Sequence, residues 1–80
     1  MEIRYVEWVD SMGSSGWQPL PDVGKTRPMT VKTAGFVVSE DEDHVTIIQS
    51  FDERRDGIAH GDNYICIPKF AIKHSRTLRK

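Results

Sequence analysis

Short β-type segments separated by turn-rich breaks are the feature that most limits what this 80-residue chain can fold into. Five segments carry β-branched and aromatic residues at a two-residue period, which is typical of strands that bury one face. These segments are residues 3–10, 29–39, 44–51, 63–67 and 71–78. No window longer than about a dozen residues has helical periodicity, so an all-α fold is excluded.

The order of these segments predicts a mainly β fold. We expect one small domain over residues 1–80, built as a five-stranded, strongly bent SH3-like or Sm-like barrel. Gly35 interrupts the long second segment and indicates a bulge or a sharp bend there. The acidic run at residues 40–43 predicts a tight turn, and residues 69–70 predict a single helical turn before the last strand.

Composition excludes several classes of function. Eleven Lys and Arg against twelve Asp and Glu leave a formal net charge of −1, which argues against a protein held to nucleic acid or to a membrane by bulk charge. Residues 1–4 lack the apolar run of a signal peptide, and no segment approaches the roughly 18 apolar residues of a membrane span. We therefore expect a soluble intracellular protein. With 38% hydrophobic residues and one Cys, the thin core is best supported by homo-oligomerisation.

Residues 11–28 are the longest stretch without a predicted strand. Two Gly and two Pro within residues 12–21 exclude a regular element there. Loops of this length in compact domains are functional, disordered or contain a short helix. Because Trp17, Leu20 and Val23 are apolar, we expect an ordered loop that packs on the barrel.

The Ser- and Gly-rich part of this loop, flanked by two Trp residues, is the best candidate for a binding site. Gly allows a turn whose backbone N–H groups converge on an anion, Ser hydroxyl groups add donors, and a Trp ring stacks on a base or sugar. Candidates for the opposite charge are Lys25, Arg27, Lys32 and Lys69. The predicted ligand-binding residues are Trp8, Ser11, Ser14, Ser15, Trp17, Lys25 and Lys69. The alternative is a structural hairpin loop that Trp17 anchors to the core.

The other chemically active residue types form no recognised catalytic or metal-binding pattern. The acidic run lacks the Gly and Glu offsets of an EF-hand loop, and the three His residues are far apart in the sequence. Cys66 lies between two Ile residues, where we expect a small buried side chain. No G-x-S-x-G, Walker or G-x-G-x-x-G motif is present. We expect a non-enzymatic protein without a metal or a cofactor.

The carboxyl-terminal end is locally basic despite the neutral total. Six basic residues and no acidic residue lie between positions 69 and 80: Lys69, Lys73, His74, Arg76, Arg79 and Lys80. Such a surface is suited to RNA, a phosphorylated ligand or an acidic partner, whereas the alternative is a solvated tail.

Several short motifs together resemble small uncharacterised proteins encoded by bacteriophages and prophages. They are residues 5–11 (YVEWVDS) with residues 16–17 (GW), residues 35–38 (GFVV), residues 65–69 (ICIPK) and residues 72–78, so the resemblance covers nearly the whole chain. It implies a phage protein in the cytoplasm of an infected bacterial host, and it implies no particular activity.

A weaker resemblance to Sm-like proteins rests on Gly35 in a long bent strand, the turn near Asp41 and the short link before the last strand. It implies a barrel that forms rings or dimers through its edge strands. The usual Sm-like RNA-binding motifs are missing, so RNA binding does not follow from it.

Three functions remain open. The first, favoured by the loop's composition, is a phage accessory protein that binds a small anionic ligand as an oligomer, such as a nucleotide signal of host defence. The second is an interaction module that docks on a host or phage protein and inhibits or redirects it through its strand edges and basic end. The third and least favoured is Sm-like RNA binding through the basic end and an aromatic residue such as Tyr64 or Phe70.

Overall fold

The computed structural model describes residues 1–53 and 57–80. In this part of the chain, five strands form one antiparallel sheet: β1 (Ile3–Asp10), β2 (Met29–Glu40), β3 (His44–Phe51), β4 (Gly61–Pro68) and β5 (Ile72–Arg79). Helical structure in the same residues is limited to the short helix α1 (Leu20–Val23) and one 3-10 turn (Lys69–Ala71). The predicted mainly β fold is confirmed, and each strand end lies within two residues of its predicted position.

The strands lie in the order β4-β3-β2-β1-β5, so the last strand returns to pair with the first. Alternation along β1 explains which face is buried: Val6 and Trp8 point into the core, whereas Glu7 between them points to the opposite face. The tight turn between β2 and β3 is also confirmed. The Asp41 carboxylate accepts hydrogen bonds from the backbone N–H groups of Asp43 (2.8 Å) and His44 (3.0 Å).

Strand β2 belongs to both halves of the sheet. Its first part, up to Phe36, pairs with β1, and its second part, from Phe36 onward, pairs with β3. A register shift between Val37 and Ser39 gives the predicted irregularity, two to four residues after Gly35. Gly35 itself marks a close approach of strands, because a Cβ atom there would lie 2.7 Å from the Ile48 carbonyl oxygen.

The core is small and joins strands that are not neighbours in the sheet. Its buried members are Val6, Trp8, Val45, Ile47 and Ile67, with Val31, Val37, Ile65 and Ile72 packed against them. On a flat sheet, β1 and β4 would be about 14 Å apart, three strand spacings of about 4.8 Å. A single flat sheet would leave these side chains exposed on its surface, so the nearly complete burial of Val6, Val45 and Ile67 requires a curved sheet. The pairings leave β4 and β5 as its two edges, so the closed barrel stays a prediction.

The loop at residues 11–28 does not pack on the sheet, and that prediction is wrong. Every residue from 11 to 30 is exposed, including Leu20 and Val23. Trp17 is 102% exposed, so it anchors nothing to the core. Since the last β1–β2 pair is Asp10 with Met29, this segment extends beyond the end of the ladder. We call residues 11–28 the arm.

Candidate functional site

The arm is held together by its own short-range hydrogen bonds. Pro19 accepts bonds from the backbone N–H groups of Asp22 (3.0 Å) and Val23 (3.2 Å), which builds α1. Gly24 donates to the Leu20 carbonyl oxygen at 3.0 Å and closes the helix. Two Pro residues flanking Leu20 prevent strand pairing, because they lack backbone N–H groups. Local hydrogen bonds thus organise residues 19–26 of the arm without help from the sheet.

The arm encloses an open concavity of about 920 Å³. Ser and Gly residues form part of its wall, and apolar side chains form the rest. Its lining consists of Ser11, Met12, Gly13, Ser14, Gly16, Trp17, Gln18, Leu20, Asp22, Val23, Thr26, Arg27 and Pro28. Its volume lies within the range of roughly 300–1,000 Å³ that is typical of small-molecule pockets.

The charge of this concavity is balanced. Asp22 and Arg27 both line it, one of each sign. The Arg27 guanidinium is also engaged locally, since its Nη1 donates to the carbonyl oxygens of Thr26 (3.0 Å) and Gly24 (3.5 Å). The side chains of the lining therefore carry no excess of positive charge that would favour an anion.

The apolar residues of the arm are its most distinctive feature. Trp17 is fully exposed, Leu20 is 81% exposed, and Met12 and Val23 are each exposed by half or more. Helix α1 packs closely on none of the described strands. A single exposed apolar residue is ordinary, but a contiguous group on a projecting segment is typical of an interaction site.

The structure brings only part of the predicted ligand site together. The concavity is lined by three of the predicted residues, Ser11, Ser14 and Trp17, so these three lie in one place as a single binding site requires. Ser15 and Lys25 belong to the same arm but lie outside the lining. The Ser14 hydroxyl donates to the Ser15 carbonyl oxygen at 3.3 Å, so it is partly engaged by the arm itself.

Trp8 is not placed to stack on a ligand. It is only 7% exposed and belongs to the core. Its indole Nε1–H donates to the Thr33 hydroxyl on β2 at 3.0 Å, which satisfies its one polar atom inside the sheet. The spacing from Val6 could have indicated this, because residues two apart in a strand share a face.

Lys69 does not belong to the site that the arm forms. It begins the 3-10 turn, and its Nζ pairs with Glu40 Oε2 at 3.0 Å, at the end of β2 opposite to the arm. Lys69 is also absent from the lining of the concavity. Lys69 therefore forms an ion pair with Glu40 outside the arm, and its assignment to the arm site is wrong.

Glu40 belongs to an ion-pair network that the sequence analysis missed. Arg4 donates two hydrogen bonds to Glu2 (2.8 and 3.0 Å) and two to Glu40 (2.7 and 2.9 Å). Arg4 and Lys69 together lower the pKa of Glu40 to about 2. Bonds from Arg4 and Thr77 likewise lower the pKa of Glu2. This network of Glu2, Arg4, Glu40, Lys69 and Thr77, which we call the clasp, ties β1 to the end of β2, to the 3-10 turn and to β5.

The basic carboxyl-terminal residues lie mainly on the edge strand β5. The Arg76 guanidinium is 5.3 Å from the centre of the Tyr5 ring, and the His74 ring meets Tyr5 edge-on at 6.4 Å. These contacts attach part of the basic surface to β1, and RNA binding stays a prediction.

Cys66 is exposed, so the expectation of a buried side chain is wrong: Ile67 takes the inward position on β4.

No family model, curated protein or solved structure matches the chain. The resemblances to phage proteins and to Sm-like proteins therefore stay predictions.

Residues 1–53 and 57–80 contain no helix that is long and apolar enough to cross a membrane. In the same residues, no group of three or more His, Cys, Asp and Glu is arranged to hold a metal ion.

Proposed function

We propose that this chain is a non-enzymatic interaction module that docks on a protein partner through the arm. One observation carries the proposal: Met12, Trp17, Leu20 and Val23 are exposed on a segment that extends beyond the sheet. Trp is among the side chains that most often dominate the binding energy at protein interfaces, and Met is also enriched there. The nearly balanced charge of the concavity supports a protein partner over a small anion.

The sheet serves as the scaffold in this proposal. Binding residues are often carried on loops that a rigid scaffold positions. The β1–β2 ladder ends at the base of the arm, and the clasp stabilises the opposite end of the same two strands. The strand order, the bent β2 and the 3-10 turn before β5 support an SH3-like or Sm-like barrel as the architecture.

The biological setting follows from the sequence resemblance alone. We propose a phage accessory protein that acts in the cytoplasm of an infected bacterial host. Its partner is then a host or phage protein that it inhibits or redirects.

A comparison of capture by matched variants tests the proposal. Tagged wild-type protein, Trp17→Asp and Phe70→Asp are used to capture proteins from phage-infected bacterial cells. Phe70 is the control because it is 92% exposed and lies on the 3-10 turn, outside the arm. The captured protein is then purified, and its affinity for each variant is measured by calorimetry.

We expect a stoichiometric partner that Trp17→Asp binds at least about 30-fold more weakly, which corresponds to a hot-spot loss of about 2 kcal/mol. Phe70→Asp should bind it like the wild type. Equal affinities for all three proteins, or no stoichiometric partner other than the chain itself, would contradict docking on a different protein through the arm.

A small anionic ligand such as a nucleotide is the second candidate. Its specific support is that Ser11, Ser14 and Trp17 line one concavity. A native mass spectrum of the purified protein should then show a retained mass that is lost on denaturation. Nucleotide titrations followed by Trp fluorescence should also differ between the wild type and Trp17→Ala. If a folded Trp17→Ala protein binds every nucleotide unchanged, this candidate is excluded.

A further inference from the structure

The chain exposes more surface than a compact protein of its mass. Its accessible surface is 6565 Å², whereas a folded monomer of 9.2 kDa exposes about 4,900 Å². Its radius of gyration is 16.5 Å, against about 12 Å for a compact 80-residue domain. The arm accounts for much of this difference, because it is exposed along its whole length.

The excess of about 1,600 Å² per chain is about twice the surface that one partner loses in a standard interface, and it falls in the range of obligate homodimers. A standard interface buries about 800 Å² on each partner, and obligate homodimers bury more. Covering the apolar side of the arm would therefore bring the exposed surface closer to that of an ordinary folded protein. A net charge of −1 adds no strong repulsion between two copies.

The arm carries both halves of a self-complementary contact. Trp17 is a fully exposed aromatic side chain, and the concavity of about 920 Å³ beside it has room for an indole ring. An interface with two-fold symmetry requires one surface to present both the projection and the pocket. Asp22 and Arg27 add one charge of each sign, so each can face its opposite on a second arm.

We propose that the arm of one copy pairs with the arm of a second copy, giving a two-fold symmetric homodimer. Each Trp17 enters the concavity of the other arm and contacts the apolar part of its wall. This rests on the proposed function, since it assigns the partner of the same docking element. A second Trp side chain would bury roughly 150–250 Å² there, which is enough to make it the central contact.

Oligomeric mass measured on the full chain purified alone tests the pairing. Light scattering coupled to size exclusion should give twice 9.2 kDa for the wild type. Measurements up to about 100 μM cover the micromolar affinities at the weak end for such interfaces. Trp17→Asp and Leu20→Asp should be monomeric, and Phe70→Asp should remain a dimer. Far-UV circular dichroism checks that each variant keeps the β spectrum, which we expect because all three sites are exposed.

A cross-linking measurement gives an independent geometric readout. In a Cys66→Ser background, Ser15→Cys places a thiol in the arm, and Asp43→Cys places one at the opposite end of β2. Oxidation should produce a covalent dimer of the Ser15→Cys protein in much higher yield than of the Asp43→Cys protein. Equal yields would contradict arm-to-arm contact.

A monomeric wild type, an oligomer larger than a dimer, or a dimer that persists in both arm variants would overturn the pairing. These outcomes differ from a failure of the proposed function. If the wild type is monomeric but Trp17→Asp still loses a different captured protein, docking through the arm holds and only the self-association is wrong.

Discussion

Replacing Gly35 by Ala should destabilise the fold, because the added methyl group would meet the backbone of the neighbouring strand. A Cβ atom at Gly35 would lie 2.7 Å from both the Ile48 carbonyl oxygen and Ile47 Cγ2. The first of these atoms is backbone of a central strand, so it cannot move aside without disturbing the β2–β3 ladder. The clash is therefore relieved only by shifting one strand against the other.

The magnitude follows from two opposing effects. Overpacking of this kind costs typically about 1–3 kcal/mol, and an unyielding backbone neighbour places Gly35 near the upper end. Ala restricts the unfolded chain more than Gly does, and this effect stabilises the folded state by about 0.4–1 kcal/mol. We expect a net loss of about 2 kcal/mol. A chain of 80 residues has a total of only about 4–12 kcal/mol, so this is a large fraction.

Urea unfolding monitored by far-UV circular dichroism measures this loss. With a slope of about 1 kcal/mol per molar urea, the midpoint should fall by about 2 M while the slope stays unchanged. All proteins are compared at one concentration, because association would add to the apparent stability. Gly13→Ala is the control, since no atom lies within 4 Å of its added Cβ. A Gly35→Ala midpoint equal to that of Gly13→Ala would refute the steric argument.

Three further predictions concern the clasp, the core and the edge strand. Pairing, chiefly with Arg4, lowers the pKa of Glu40 from 4.5 to about 2, so its stabilisation is complete above the unfolded pKa and is lost as the pH falls from about 5 towards 2. Urea midpoints across this range should decline less steeply in Glu40→Gln than in the wild type, and equal slopes would exclude the pairing. Thr33→Val leaves the Trp8 indole N–H without its acceptor and should cost about 1 kcal/mol by urea unfolding, whereas no loss would mean that the bond contributes nothing. Cys66 should react fully with a thiol reagent without denaturant, and a requirement for urea would contradict its exposure.

The strands could be predicted because each one carries its own alternation. In β1 and β3, apolar residues at a two-residue period are bounded by polar breaks, and both strands begin and end where the pattern predicts. The turn at Asp41 was also readable, because an Asp that accepts backbone hydrogen bonds two and three residues later is a local motif. Local chemistry determines these features, so one sequence suffices to find them.

The placement of the arm could not be read in the same way. Trp17, Leu20 and Val23 would look the same in the sequence whether they packed on the sheet or faced another protein. The local signal that existed was the pair of Pro residues around Leu20, which prevents strand pairing but leaves the direction of the segment open. That direction depends on tertiary contacts, and the described arm residues make few with the sheet.

The clasp was missed for a different physical reason. Arg4 and Glu40 are 36 positions apart, and only the pairing of β1 with β2 and the bend of β2 bring their side chains together. An Arg and a Glu in a sequence that contains several of each carry no signal of such a pair. The wrong assignment of Lys69 to the arm has the same cause. The sequence shows that a cation is present, but not which carboxylate it pairs with in the folded chain.

The thin core and the exposed arm arise from one distribution of apolar residues. In residues 1–53 and 57–80, six apolar side chains are buried and twelve large ones are exposed, four of them on the arm. A chain that keeps these side chains away from its own core gains their hydrophobic stabilisation only by covering them with another chain. Stability and self-association should then be coupled, so the melting temperature of the wild type should rise with protein concentration. Trp17→Asp should abolish this dependence, because the site is solvent-exposed within one chain and can affect stability only through an interface. A wild-type melting temperature that stays constant from low micromolar concentrations to about 100 μM would show that stability is not coupled to self-association. The arm would then be covered by a different protein.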